Sequence, residues 1–202
     1  MSQTKVIAII ASAGGLRPIH ELLRELPRDY PNAVIVASHS APTSRLFEAL
    51  DIRREISMNI VRAEDDQRLL PGRIHVVPGA RHAFVMGDRI SLSDVVKDSG
   101  YRPSLDALLM TAAASHGENL TAVVLSGSLK DGMRGTQIVY DTGGTTIVQD
   151  PQEAAHASMP NSVIASDHPE EVLSATHLGR WLVGQAELED GYAIRRRLSV
   201  LS

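Results

Sequence analysis

The chain has 202 residues, 43% of them apolar and 22% charged, with a formal net charge of -4. That composition fits one globular domain with a sizeable core, and the acidic balance gives no electrostatic case for nucleic acid or an anionic membrane. Only 3% of residues are aromatic, which leaves few platforms for stacking bases, and the lack of cysteine excludes disulfides, thiolate metal sites and cysteine nucleophiles. The opening MSQTKVIAII holds an apolar run too short for membrane insertion and carries no signal-peptide cleavage pattern, so a cytoplasmic protein is expected.

Val6–Ile10 reads as a buried strand and Leu16–Glu25 as the helix behind it, with ASAGG (residues 11–15) between them. A second strand is expected at Ala33–Ala37, a helix at Ser44–Ala49 and a strand at Arg73–Val77. AFVMGDRISLSD (residues 83–94) differs: two short extended runs surround Gly87-Asp88, the signal of an antiparallel hairpin, here expected to join the sheet. Then follow a helix at Ser104–His116, a strand at Ala122–Leu125, a helix at Gly132–Thr142, a strand at Thr145–Val148 and a helix at Glu170–Val183. Unbroken apolar, β-branched runs alternating with helices predict an α/β fold: a doubly wound, mostly parallel sheet with helices on both faces, plus the antiparallel hairpin. Residues 1–183 form the expected domain and 184–202 a C-terminal appendage, in which Arg195-Arg196-Arg197 reads as a solvated charged face.

Ligand sites of open parallel sheets gather at the carboxyl ends of the strands. Ser12 follows the first strand there, His39 the second and Asp131 the fourth. Each has a plain structural reading: Ser12 as a helix cap, His39 as a loop histidine with a structural hydrogen bond, Asp131 as the cap of the next helix. Together they have the makings of an acyl-transfer triad, in which His39 takes the proton of Ser12 and Asp131 holds the imidazole. The helix beginning near Gly14 and Gly15 would point backbone N–H groups at a developing oxyanion. ASAGG has neither G-x-G-x-x-G nor G-x-S-x-G spacing, which argues against a dinucleotide loop and an ordinary hydrolase elbow. His75 and His82, flanking VVPGAR, are too few for zinc, so no metal and no organic cofactor are expected.

Several stretches resemble one family in its own order: IIASAGG, SHSAP, LLPGRIHVVPGARHAFV, YRPSLDALLMTAA, LSGSLKDGMRG and GGTTIVQDPQEAAHASMPNSVI. They are similar to the catalytic domain of the chemotaxis protein-glutamate methylesterases, CheB, up to about Val183. The resemblance implies a mostly parallel α/β domain and a cytoplasmic serine carboxylesterase. It would hydrolyse glutamate γ-methyl esters on methylated chemoreceptors, or on another protein substrate, and often deamidate glutamines. It carries the nucleophile to Ser12, the base to His39 and the orienting acid to Asp131, and sets Ala13, Gly14, Gly15, His82, Ser128 and Leu129 around the substrate and oxyanion pocket.

This sequence departs from the family at several points. The first strand begins near Lys5, and the domain is expected to stand free of the receiver domain usual in the family, with a receiver on a separate protein left open. Ser128 and Leu129 stand where the family has Met-Gly, and Ser158 where it has the glycine of G-M-P. A residue with a side chain at a position that needs positive φ costs about 1–2 kcal/mol, so this loop is expected to be reshaped. The altered wall leaves a second reading open, a divergent CheB-like module that binds or regulates without catalysis.

Overall fold

The computed structural model describes residues 5–39, 46–52, 55–97, 100–128 and 130–200, with side chains described as far as Leu188. Leu129 therefore lies outside the described residues, as does the start of the expected helix at Ser44.

The elements in chain order are β1 (Val6–Ala11), α1 (Leu16–Leu23), β2 (Ala33–Ser38), α2 (Leu46–Asp51), β3 (Asn59–Arg62), β4 (Gln67–Arg68), β5 (Arg73–Val76), β6 (His82–Met86), β7 (Arg89–Ser93), α3 (Leu105–His116), a 3-10 turn (Gly117–Asn119), β8 (Leu120–Val124), α4 (Met133–Asp141), β9 (Thr145–Gln149), α5 (Ser158–Ser166), β10 (Glu171–Leu173) and α6 (Ala175–Val200). Seven strands form one sheet in the order β10-β9-β8-β1-β2-β5-β3, and every recorded pairing within it is parallel.

β1 lies at the centre because both of its faces are apolar. Val6, Ala8 and Ile10 pack into a core with Leu105, Leu108 and Leu109 of α3, Val139 of α4 and Met159 and Val163 of α5. Ile7, Ile9 and Ala11 face Ile19, Leu22 and Leu23 of α1 and Leu178 and Leu182 of α6. A strand covered on both sides has no polar face to show, which is why it reads as a continuous run. The chain winds from β1 toward β2 on one side, and β8, β9 and β10 lie on the other. The winding thus reverses beside β1, and the loops after β1 and β8 flank the crevice this creates.

The hairpin forms as expected, β6 with β7 around Gly87-Asp88, but it does not join the main sheet. With β4 it makes a separate three-stranded sheet in the order β4-β7-β6. Ala83, Val85, Ile90 and Leu92 of this sheet pack into the same core as α3. α3 therefore lies between the hairpin and the main sheet, and is apolar on nearly every side.

Three further differences have local causes. The expected helix from Glu170 begins as β10, and Ser174 then starts α6, its hydroxyl accepting the His177 N–H at 3.3 Å. α6 passes Val183 without a break and reaches Val200, so residues 184–200 continue a helix of the domain. α5 has no counterpart among the expected elements; its Pro160 sits in the first turn, where a missing N–H costs nothing.

Candidate active site

The loop after β1 is fixed before any chemistry is considered. Ser12 N–H donates to the Ser126 carbonyl at 2.9 Å and joins the ends of β1 and β8. Gly14 has φ +72, and a Cβ there would stand 2.8 Å from Ala155 Cβ, so both conformation and space require glycine. Gly15 is the N-cap of α1 and makes no side-chain cap bond. Ser12 is therefore not the cap of α1. Its hydroxyl turns instead to His39 Nδ1, at 3.1 Å.

His39 leaves β2 with its backbone N–H on the Ala11 carbonyl at 3.2 Å. Its Nε2 lies 2.6 Å from Asp131 Oδ2. The Tyr101 ring stacks on the imidazole, with centroids 4.5 Å apart and planes 21° from parallel. The structure thus brings Ser12, His39 and Asp131 into one hydrogen-bonded chain.

Asp131 is 7% exposed and accepts two further bonds, from Leu105 N–H on Oδ2 at 2.8 Å and from Asp106 N–H on Oδ1 at 2.9 Å. Burial alone would raise its pKa. The bonds from His39, Leu105 and Asp106 outweigh burial and hold the carboxyl below its ordinary value. An ionised carboxylate only accepts, so Nε2 carries the imidazole proton and Nδ1 presents a lone pair to the Ser12 hydroxyl.

Asp131 does not cap the helix that follows it. It caps α3, while Asp106 of α3 caps α4 in return. Asp106 Oδ1 accepts from Gly132 N–H at 2.9 Å and Gly135 N–H at 2.8 Å, and its Oδ2 accepts from Arg134 Nε at 2.8 Å. Each acid satisfies the orphan donors of the other's helix. The sequence carries no signal for Asp106, because a lone acid in a helix gives no local sign of a partner 26 residues away.

The loop after β8 forms the other wall. Ser126 Oγ donates to the Ala13 carbonyl at 2.8 Å and accepts the His156 N–H at 3.0 Å. Ser128 is exposed, and its hydroxyl lies 3.0 Å from His156 Nδ1. Among the described residues, the N–H groups of Ala13 and Ser128 have no hydrogen-bond partner. Beside the triad opens a cavity of about 490 Å³, bounded by Tyr101, Ser128, Lys130, Asp131, Met133 and Arg134. His82, expected in the pocket, instead stands behind its wall: it is 1% exposed, and its Nδ1 accepts the Ser104 N–H at 3.2 Å. Among the described residues no cluster of three metal-ligating side chains occurs.

Fold and site together define a parallel α/β domain with a serine, a histidine and an aspartate hydrogen-bonded at its carboxyl edge. The CheB methylesterase family matches residues 7–182. The protein-glutamate methylesterase FrzG of Myxococcus xanthus is 30% identical over 179 residues, 88% of this chain and 54% of that protein. The protein-glutamate methylesterase/protein-glutamine glutaminase of Salmonella typhimurium is 31% identical over 199 residues, 96% of this chain and 56% of that protein. The chain thus spans about half the length of these curated relatives. The Thermotoga maritima CheB methylesterase catalytic domain superposes with a TM-score of 0.84 at 30% identity, covering 91% of this chain and 99% of that one. The chain belongs to the CheB methylesterase family.

Proposed function

We propose that this chain is a serine esterase that hydrolyses glutamate γ-methyl esters on a protein, with a methylated chemoreceptor as the first substrate to test. The observation that carries this reading is the continuous Ser12–His39–Asp131 hydrogen-bond chain.

Ser12 Oγ attacks the ester carbonyl while its proton passes to His39 Nδ1. The carbonyl oxygen becomes an oxyanion, and the free N–H groups of Ala13 and Ser128 are the donors proposed to receive it. Each such donor is worth roughly 10²–10³ in rate. Asp131 stabilises the imidazolium through Nε2–H. The imidazolium gives its proton to the departing methoxide, which leaves as methanol. Water then loses a proton to His39, attacks the acyl-serine carbonyl and restores Ser12 with a free glutamate. A glutamine side chain would follow the same path with ammonia leaving, and relatives bear the name protein-glutamine glutaminase. Lys130, which borders the cavity beside the triad, suits an acidic polypeptide.

A fluorophosphonate probe and methanol release from methylated receptor test the reading together. Labelling and turnover that both vanish in Ser12→Ala are expected. Absence of labelling in the parent chain would favour a non-catalytic module instead.

A further inference from the structure

α1 and α6 both begin at the carboxyl edge of the sheet. They pack so closely that a Cβ on Gly179 would stand 2.6 Å from the Leu22 carbonyl oxygen. Between their first turns and the end of β9 lies a cavity of about 700 Å³. It sits on the α1/α6 face of the nucleophile loop, whereas the triad lies toward α3. Of the residues placed around Ser12, only Gly14 lines it.

Gln149, the last residue of β9, lines this cavity and is 3% exposed. Its Oε1 accepts the Ser126 N–H at 2.9 Å, which fixes the orientation of the amide. The opposite end, Nε2, takes no partner among the described residues. Nε2 is also not sealed in protein, and Gln149 is one of the residues that border this cavity. A nearly buried amide with two unused N–H donors is the signature of a group waiting for an acceptor.

The surroundings supply more donors. Ser174 caps only the His177 N–H, so the N–H groups of Ala175 and Thr176 have no partner among the described residues. Leu16 and Arg17 N–H groups at the start of α1 are equally free of protein partners. Thr176 and Arg17 also border the cavity. Two helix N-termini, each equivalent to about half a positive charge, thus flank one buried amide donor. Glu21 is already paired with Arg17 at 2.7 Å, and the exposed Glu153 is the remaining opposing carboxylate.

We infer that this cavity is a second binding site, one for a small oxyanion (carboxylate or phosphate), with Gln149 Nε2 as its central donor. Such a group can come free in solution or on an acidic side chain of a bound polypeptide.

The test is a ¹⁵N correlation titration of the full chain with sodium phosphate, then with acetate, at constant ionic strength. Saturable shifts confined to the Gln149 side-chain amide and the backbone amides of Leu16, Arg17, Ala175 and Thr176 are expected. Gln149→Glu keeps an oxygen for Ser126 but replaces the donor with a carboxylate, and should weaken binding at least about tenfold. Thr176→Asp places a negative charge where a helix start favours it, so it should hold the melting temperature while abolishing binding. Glu153→Gln should tighten binding about threefold. Glutamate blocked as N-acetyl methylamide separates the sources. Affinity at least about tenfold above acetate assigns a polypeptide side chain, and equal affinity assigns a free anion. No saturable shift, or shifts that persist unchanged in both Gln149→Glu and Thr176→Asp, would overturn the inference.

Discussion

Replacing Asp131 with asparagine changes one atom and breaks the site in a defined way. Two carboxylate oxygens receive three N–H groups: His39 Nε2 at 2.6 Å, Leu105 N at 2.8 Å and Asp106 N at 2.9 Å. Asparagine offers one oxygen and one NH₂. If the NH₂ takes the Oδ1 position, it meets the Asp106 N–H head on. If it takes the Oδ2 position, it opposes the Leu105 N–H and forces His39 Nε2 to become an acceptor. The imidazole proton then moves to Nδ1, which points at Ser12 and can no longer accept its proton. Either way a buried donor loses its partner, at a cost of about 1–3 kcal/mol in stability. The second arrangement also removes the base, and an orienting acid of this kind is worth roughly 10³–10⁴ in rate. There is a pH signature too. The native carboxylate has a lowered pKa, so its stabilisation is complete above the unfolded value near 4 and is lost as pH falls through the lower folded value. Asp131→Asn should lack that acid-side loss. The assays are hydrolysis of p-nitrophenyl acetate at pH 7 and urea melts from pH 7 down to 3. Activity within about tenfold of the parent, at unchanged stability, would refute both the tautomer assignment and the role given to Asp131.

His75 is fully buried, and burial, helped by the nearby Arg73 charge, pushes its pKa down to about 4. Between 6.5 and about 4 the unfolded chain takes a proton that the folded one refuses, so stability should fall as pH falls through that window, by up to about 3 kcal/mol, and His75→Asn should flatten the slope in urea melts. Gly14→Ala puts a Cβ 2.8 Å from Ala155 at φ +72; about 1–2 kcal/mol of stability and roughly 10²-fold in kcat should go together, and an unchanged kcat would show that the loop tolerates the shift. Tyr101→Ala removes the ring stacked on His39 and should lower kcat about tenfold with little change in KM, while Tyr101→Phe, which keeps the stack, should restore it.

The central strands were legible because burial on both faces leaves an unbroken apolar run: β1, β2, β8 and β9 are almost wholly buried. The edges were not. β3, NIVR, has only two apolar residues and exposed ends, and β10 is three residues long. Neither gives a periodic signal, though Pro169 and Ser174 bracket β10 and could have marked a break before α6. The hairpin was visible from its turn, but its partner sheet was not, since two residues of β4 carry no pattern of their own. The residues of the candidate triad were visible through their positions at strand ends. What holds them was hidden: Tyr101, Asp106 and Ser126 act across 62, 26 and 113 positions of chain, respectively, and no local spacing encodes such contacts.

Ser128 stands where the family carries methionine, and its hydroxyl reaches His156 Nδ1 across the cleft wall. His156 in turn is tied by its backbone to Ser126 and Gly127, and Ser126 is tied to Ala13 beside the nucleophile. A polar clasp thus links the loop after β9 to both loops that border Ser12. The two acids pin the opposite side: Asp131 is held by the N-terminus of α3 and Asp106 holds the N-terminus of α4, so neither helix can shift without unpairing the other's first turn. His39, under Tyr101, is the part between these two anchored walls. Preorganisation at this site therefore comes from helix starts and loop-to-loop hydrogen bonds, and a change in the Ser128–His156 clasp should alter fit at the mouth before it alters the Ser12–His39–Asp131 geometry.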